Sequence, residues 1–322
     1  MNSFLAAAGI AGAAVAAGAV GAKAGAVTLF NRVIPRQDEL KVDISEMADM
    51  KKWEEYKKII HPNKEWLMQR DMKHITITSR DGLTLHADYI AADSPSERLA
   101  IAFHGYTGSG LSDCASISTY FLKKGYDCLI VDNRAHGKSE GQYIGFGILD
   151  RYDCMSWIKY AEQHFRSGKN IVLYGVSMGA ATVLMASGFS HFPGSVRAVI
   201  ADCAFTSPFD VFAHILKRDY HLPPFPIMNI TDNMCRQKAG YGFSEYSTLT
   251  AMRNTLCPTL FIHGMEDNFV PTWMSRKNYE ACAAPKELLL VPNAGHAASY
   301  YENVSLYENA VTNFLDQYIP EE

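Results

Sequence analysis

From about Ile75 to the C-terminus, short apolar runs alternate with amphipathic stretches. Ile75 and Ile77, then Leu83, Leu85, Ala87 and Tyr89, recur at every second position. That is the period of a half-buried strand. Asp81-Gly82 lies between the two runs and is a strong hairpin signal, so two antiparallel strands are expected to open the sheet. Apolar runs at 99–103, 127–131, 171–174, 196–201, 258–262 and 286–291 read as further strands. Helical patterns fall between and after them, at 114–123, 150–165, 180–186, 273–283 and 306–318. Strands spaced by helices predict an α/β fold with a mostly parallel, doubly wound sheet.

Three stretches break the rhythm. Residues 206–256 hold no strand pattern, but carry Pro208, the cluster Pro223-Pro224-Phe225-Pro226 and many Phe, Tyr and Met residues. So long a connection is usually functional, and it reads as a small lid inserted between two strands. Residues 38–71 are charged and amphipathic; Met47, Met50, Trp53, Tyr56, Ile60 and Trp66 suggest helices on the outside of the main domain. Residues 4–22 form an uncharged run in which fourteen of nineteen positions are Ala or Gly. The run is long enough to span a bilayer. Lys23, Arg32 and Arg36 follow it, so a span would leave the main domain in the cytoplasm. A cleaved signal and an Ala/Gly tail are the competing readings. The organisation expected is a possible membrane segment or signal at 1–36, a helical extension at 37–72, and one domain at 73–322 with its lid at about 206–256.

Composition narrows the partners. The chain has 322 residues, 48% of them hydrophobic, with a net charge of -4 from well-mixed charges. No basic stripe and no zinc or RNA-binding signature points to nucleic acid. The seven cysteines are scattered without a C-x-x-C, and an odd count argues for reduced, buried thiols.

The chemistry gathers where strands end, the place at which such sheets build their sites. Gly175-Val176-Ser177-Met178-Gly179 follows a buried strand and precedes a helix of small residues. This G-x-S-x-G would put Ser177 on a sharp strand-to-helix turn with its hydroxyl exposed. His104-Gly105-Tyr106-Thr107-Gly108 follows the strand at 99–103; the N–H groups of Tyr106 and Met178 are the expected oxyanion hole. His104 itself reads as structural. After the strand at 258–262, Asp267 is the candidate for the acid that orients a histidine, with Glu266 as runner-up; helix capping would also explain an Asp here. His296 follows the strand at 286–291 between small neighbours. The order Ser177, Asp267, His296 is that of an α/β-hydrolase triad. The polar stretch Asp132 to Gly141 reads as structural, with Arg134 and the glycines fixing a turn, and His136 has no second metal ligand at useful spacing. No metal and no cofactor are expected.

On these segments the chain resembles the α/β-hydrolase superfamily, and is similar to bacterial esterase-like hydrolases grouped with serine aminopeptidases and monoacylglycerol lipases. The resemblance covers residues from about 75 onward, and Ala135 stands where relatives commonly have Gly. It implies the α/β-hydrolase fold and a serine hydrolase acting through an acyl-enzyme. The aromatics and prolines of the lid suggest an apolar pocket, so a small-molecule carboxylic ester is the expected substrate. A peptidase, with Arg218, Asp219 and Asp232 near a peptide terminus, and a non-catalytic binding module are the alternatives.

Overall fold

The computed structural model describes residues 20–37 and 50–319. Most of the uncharged run, residues 4–19, lies outside them. Among the described residues no helix is long and apolar enough to cross a membrane.

Eight strands form one sheet: β1 (Met72–Thr78), β2 (Thr84–Ile90), β3 (Arg98–Phe103), β4 (Asp127–Asp132), β5 (Asn170–Val176), β6 (Val196–Asp202), β7 (Thr259–Gly264) and β8 (Lys286–Val291). Their order is β1-β2-β4-β3-β5-β6-β7-β8. β2 runs antiparallel to β1 and β4, and every other pair is parallel. The hairpin at Asp81-Gly82 forms as expected; Gly82 takes φ 88°, open to a residue without Cβ. The central strands are buried on both faces, which is why they read as continuous apolar runs.

Helices cover both faces. On one lie α2 (Met50–Met68), α4 (Ala115–Lys123) and α12 (Val304–Leu315), burying Leu67, Phe121, Tyr307 and Phe314 against Ala102, Ile130 and Ile200. On the other lie α5 (Asp150–His164), α6 (Met178–Ser187) and α10 (Trp273–Ala281), where Trp157, Ile158 and Leu184 meet Ile101, Leu129 and Leu173. All ten residues of α6 are buried, which its small side chains allow. Short helices α3 (Gly110–Asp113) and α11 (Ser299–Glu302) sit at the C-terminal edge of the sheet.

The insert between β6 and β7 is helical: α7 (Pro208–Tyr220), α8 (Ile227–Ala239) and α9 (Thr248–Asn254). It does not hang free. Residues 20–33 form a helix, α1, whose Ala26 and Phe30 are buried with Ile34 against Met228, Cys235 and Tyr241 of the insert and Ile144 and Phe146 of the adjoining loop. Beyond α1 the chain continues as a single bridge from Pro35 to Tyr143, and the Arg36 guanidinium donates to the carbonyls of Ser139 and Gly137.

Candidate active site

The turn after β5 holds its serine under strain. Ser177 has φ 53° and ψ -110°, a region that residues with a Cβ avoid. The flanking glycines are required by contact: a Cβ on Gly175 would lie 2.3 Å from the Gly179 carbonyl carbon, and one on Gly179 2.1 Å from the Phe103 oxygen. The Ser177 N–H donates to the Asp202 carbonyl at 2.8 Å, tying the turn to the end of β6.

Two loops bring the partners. The chain after β7 and the chain after β8 pack so closely that a Cβ on Gly264 would fall 2.3 Å from the Ala294 oxygen. This approach sets Asp267 beside His296, with His296 Nδ1 2.7 Å from Asp267 Oδ2. Nδ1 faces a carboxylate and so carries the proton, which leaves Nε2 to accept from the Ser177 hydroxyl 3.0 Å away. Asp267 Oδ1 accepts the N–H groups of Phe269 and Val270 at 2.9 and 2.8 Å. The fully buried His263 places Nε2 3.2 Å from Asp267 Oδ2 and 2.7 Å from the Val270 carbonyl. Burial alone would raise the Asp267 carboxyl; His296 and His263 outweigh it and hold the group below the ordinary carboxylate value. Glu266 points to solvent, so the runner-up acid has no place in this chain of bonds.

The loop after β3 is fixed from three sides. Asp113 Oδ2 accepts the Gly105 N–H at 3.0 Å, and His136 Nε2 accepts the Thr107 N–H at 3.3 Å. His104, buried, donates Nδ1–H to the Gly105 carbonyl and accepts the Asn133 N–H, so it is structural. Burial pulls the His136 imidazole down to about 4, which keeps it neutral and able to accept. Among the described residues, no hydrogen bond occupies the N–H of Tyr106, between those two pinned amides, or of Met178 at the first position of α6. Arg134 forms a two-sided ion pair, bidentate to Asp153 at 2.6 and 2.7 Å and to Asp81 at 2.9 and 3.0 Å. Its role is to clamp the 132–141 loop to the first hairpin and α5.

A cavity of about 310 Å³ opens beside Ser177 and His296. Its walls are Trp53 and Ile60 of α2, Ile117 of α4, Tyr300 and Tyr301 of α11, and Phe269. No residue of the 206–256 insert lines it. That corrects the expectation that the insert's aromatics shape the pocket: Phe212, Tyr241 and Phe243 pack inward against α1 and Phe146 instead. The charged groups Arg218, Asp219 and Asp232 are also absent from the walls; Arg218 pairs with Asp219, and Asp232 with Arg236. Two carboxyls do face the cavity, the half-buried Asp113 and the buried Asp202. Burial raises both, Asp202 to about 6, even though Asp202 accepts from the hydroxyls of Ser299 and Tyr307. Sequence reasoning missed Asp113, His263, the α2 wall and the bond by which His136 of the structural stretch holds Thr107, because no local motif marks a residue that acts through a loop or helix distant in the chain.

The comparisons with known proteins agree with this architecture. The chain is 30% identical over 248 residues to YqkD of Bacillus subtilis, covering 77% of this chain and 80% of that protein. Its fold is similar to the esterase Pf2001 of Pyrococcus furiosus, with a TM-score of 0.66 and 20% identity over 90% of this chain and 99% of that one. It is similar too to Est1E of Butyrivibrio proteoclasticus, solved with ferulic acid bound, with a TM-score of 0.62 and 20% identity over 77% of this chain and 100% of that one. Both likenesses are likenesses of fold. The model of the prolyl oligopeptidase family matches residues 115–322, which include the serine turn and the loops after β7 and β8. With its mostly parallel sheet, its β5–α6 serine turn and this match, the chain is an α/β-hydrolase and belongs to the prolyl oligopeptidase family.

Proposed function

We propose that the protein is a serine hydrolase of carboxylic esters, with Ser177 as nucleophile. The observation that carries this reading is the unbroken chain Ser177 Oγ, His296, Asp267 at the mouth of an apolar cavity. His296 takes the hydroxyl proton as Oγ attacks the ester carbonyl. Asp267 holds the ring in the Nδ1–H form and stabilises its cation. The tetrahedral oxyanion forms between the N–H groups of Tyr106 and Met178. His296 then protonates the leaving alcohol, and a water activated by the same imidazole cleaves the acyl-enzyme. The aromatic walls favour an acyl chain or aryl group, and among the described residues no lysine or arginine lines the cavity to take a peptide carboxylate.

Amide hydrolysis is the second reading. The family name and the two carboxyls Asp113 and Asp202 in the cavity favour it, since a carboxylate is the natural partner of a substrate amine. A panel of p-nitrophenyl esters of graded chain length, run beside aminoacyl anilides, separates the two. Faster turnover of esters, with labelling of Ser177 by a fluorophosphonate, is expected. Preference for anilides would establish the second reading, and failure to label Ser177 would remove both.

A further inference from the structure

The first hairpin carries a cluster that the proposed hydrolase chemistry does not use. His74 on β1 is paired in register with Asp88 on β2, and His86 lies two residues before Asp88 on the same strand. Residues directly opposite, or two apart, share a face of a sheet. His86 is in turn opposite Asp132 of β4, so four chemically active side chains stand in one row on one face. His74 Nδ1 lies 2.6 Å from Asp88 Oδ1, and His86 Nε2 3.5 Å from that same oxygen. One donor atom from each of His74, His86 and Asp88 falls within 4.8 Å of the others.

His86 is the second observation. It is 6% exposed, yet among the described residues neither ring nitrogen has a hydrogen-bond partner. A buried imidazole left in that state is costly and calls for an explanation. Its Nδ1 faces Asp132 Oδ2 at 3.5 Å, the carboxylate-behind-histidine arrangement that orients a metal ligand. Its Nε2 faces Asp88 and His74.

We propose that His74, His86 and Asp88 bind a divalent transition-metal ion of the Zn²⁺ class, with Asp132 behind His86 and water completing the shell. Imidazole and carboxylate donors suit Zn²⁺, whose tetrahedral bonds of about 2.0–2.2 Å put neighbouring ligand atoms about 3.4 Å apart. The His86–Asp88 separation, 3.5 Å, is already close to that value. The His74 side chain is 61% exposed, so it has room to swing from Asp88 and gives the ion a way in. The bound ion would rivet edge strand β1 to β2. It would also load Asp132, whose carboxylate accepts the Gly110 and Lys138 N–H groups beside the loops that frame Ser177.

The test uses the full chain freed of metal by chelation. Zn²⁺ is titrated by calorimetry, and Co²⁺ is followed by its visible absorption. Uptake of a single equivalent, a four-coordinate Co²⁺ spectrum and a rise in Tm with Zn²⁺ are expected. His74→Ala, at an exposed position that the fold tolerates, should weaken binding by at least about tenfold and abolish the Tm rise, and Asp132→Asn should weaken it by about tenfold or more. Absence of uptake by the unaltered chain would overturn the proposal. So would uptake that His74→Ala leaves unchanged and His296→Ala removes, because the ion would then sit at the serine site.

Discussion

The helical insert at 206–256 and helix α2 are both additions to the same sheet, and both carry aromatic side chains. The insert is long, rich in proline and placed where an active-site cover is expected. α2 lies upstream of the family match and looks like a decoration. In the folded chain their parts are exchanged. The insert's Phe212, Tyr241 and Phe243 are buried against α1 and Phe146, whereas Trp53 and Ile60 of α2 close the cavity beside Ser177. Composition identified both as apolar surfaces in need of cover; only packing decided which surface was used up inside the protein and which was left lining the cavity.

Substitutions can break this contrast. The largest effect is expected at the proposed nucleophile beside which α2 packs: Ser177→Ala should lower kcat on any accepted ester by roughly four to six orders of magnitude. Near-normal turnover in that variant, measured after active-site titration, would remove the nucleophile assignment and the contrast with it. Next comes Phe30→Ala, which empties the seat of α1 on the insert and should cost about 3–5 kcal/mol in denaturant unfolding. Its acyl-chain preference should stay as it was; a changed preference would mean that the insert shapes the pocket after all.

Trp53→Ala tests the other side. It should leave the fold intact and lower kcat/KM for the preferred acyl chain by about 10–100-fold, the worth of a lost apolar pocket contact. Phe225→Ala, at a side chain 74% exposed on the insert, should change it by less than about twofold. Equal responses from Trp53 and Phe225 would erase the distinction between the two regions.

The smallest effect is a pH dependence at the hairpin. Hydrogen bonds from Arg134 hold the Asp81 carboxyl down to about 2. A carboxyl lowered on folding contributes stability above its unfolded value, and loses it as pH falls through the folded one. Asp81→Asn should therefore cost less than about 1 kcal/mol near neutral pH, because Asp81 is half-exposed, and the difference should vanish as pH falls from about 4 towards 2. Urea unfolding at a series of pH values reads this directly. A difference that persists at low pH would mean that the pair works through shape rather than charge.

Much of the candidate site was legible before the fold. Ser177, Asp267 and His296 each follow a strand, and strand ends are marked by local signals: a run of apolar residues, then glycine. The close-contact glycines at 175, 179 and 264 are part of the same signal, since no other residue fits there. Arg134 was readable as a structural clamp, although its partners Asp81 and Asp153 were not. Choosing Asp267 over Glu266 rested on pattern, and it took the folded loop to turn Glu266 outward.

By itself, then, the sequence determined the succession of strands and helices, the doubly wound sheet, and the residue types at its strand ends. These follow from periodicity and turn chemistry, which act over a few neighbouring residues. The tertiary structure alone decided that α2 and not the insert walls the cavity. It also decided that α1 seals the insert, and that His74, His86, Asp88 and Asp132 share one face. Those outcomes depend on strand register and on helices packing across long stretches of chain, and a one-residue slip in register would have sent the same side chains to the opposite face.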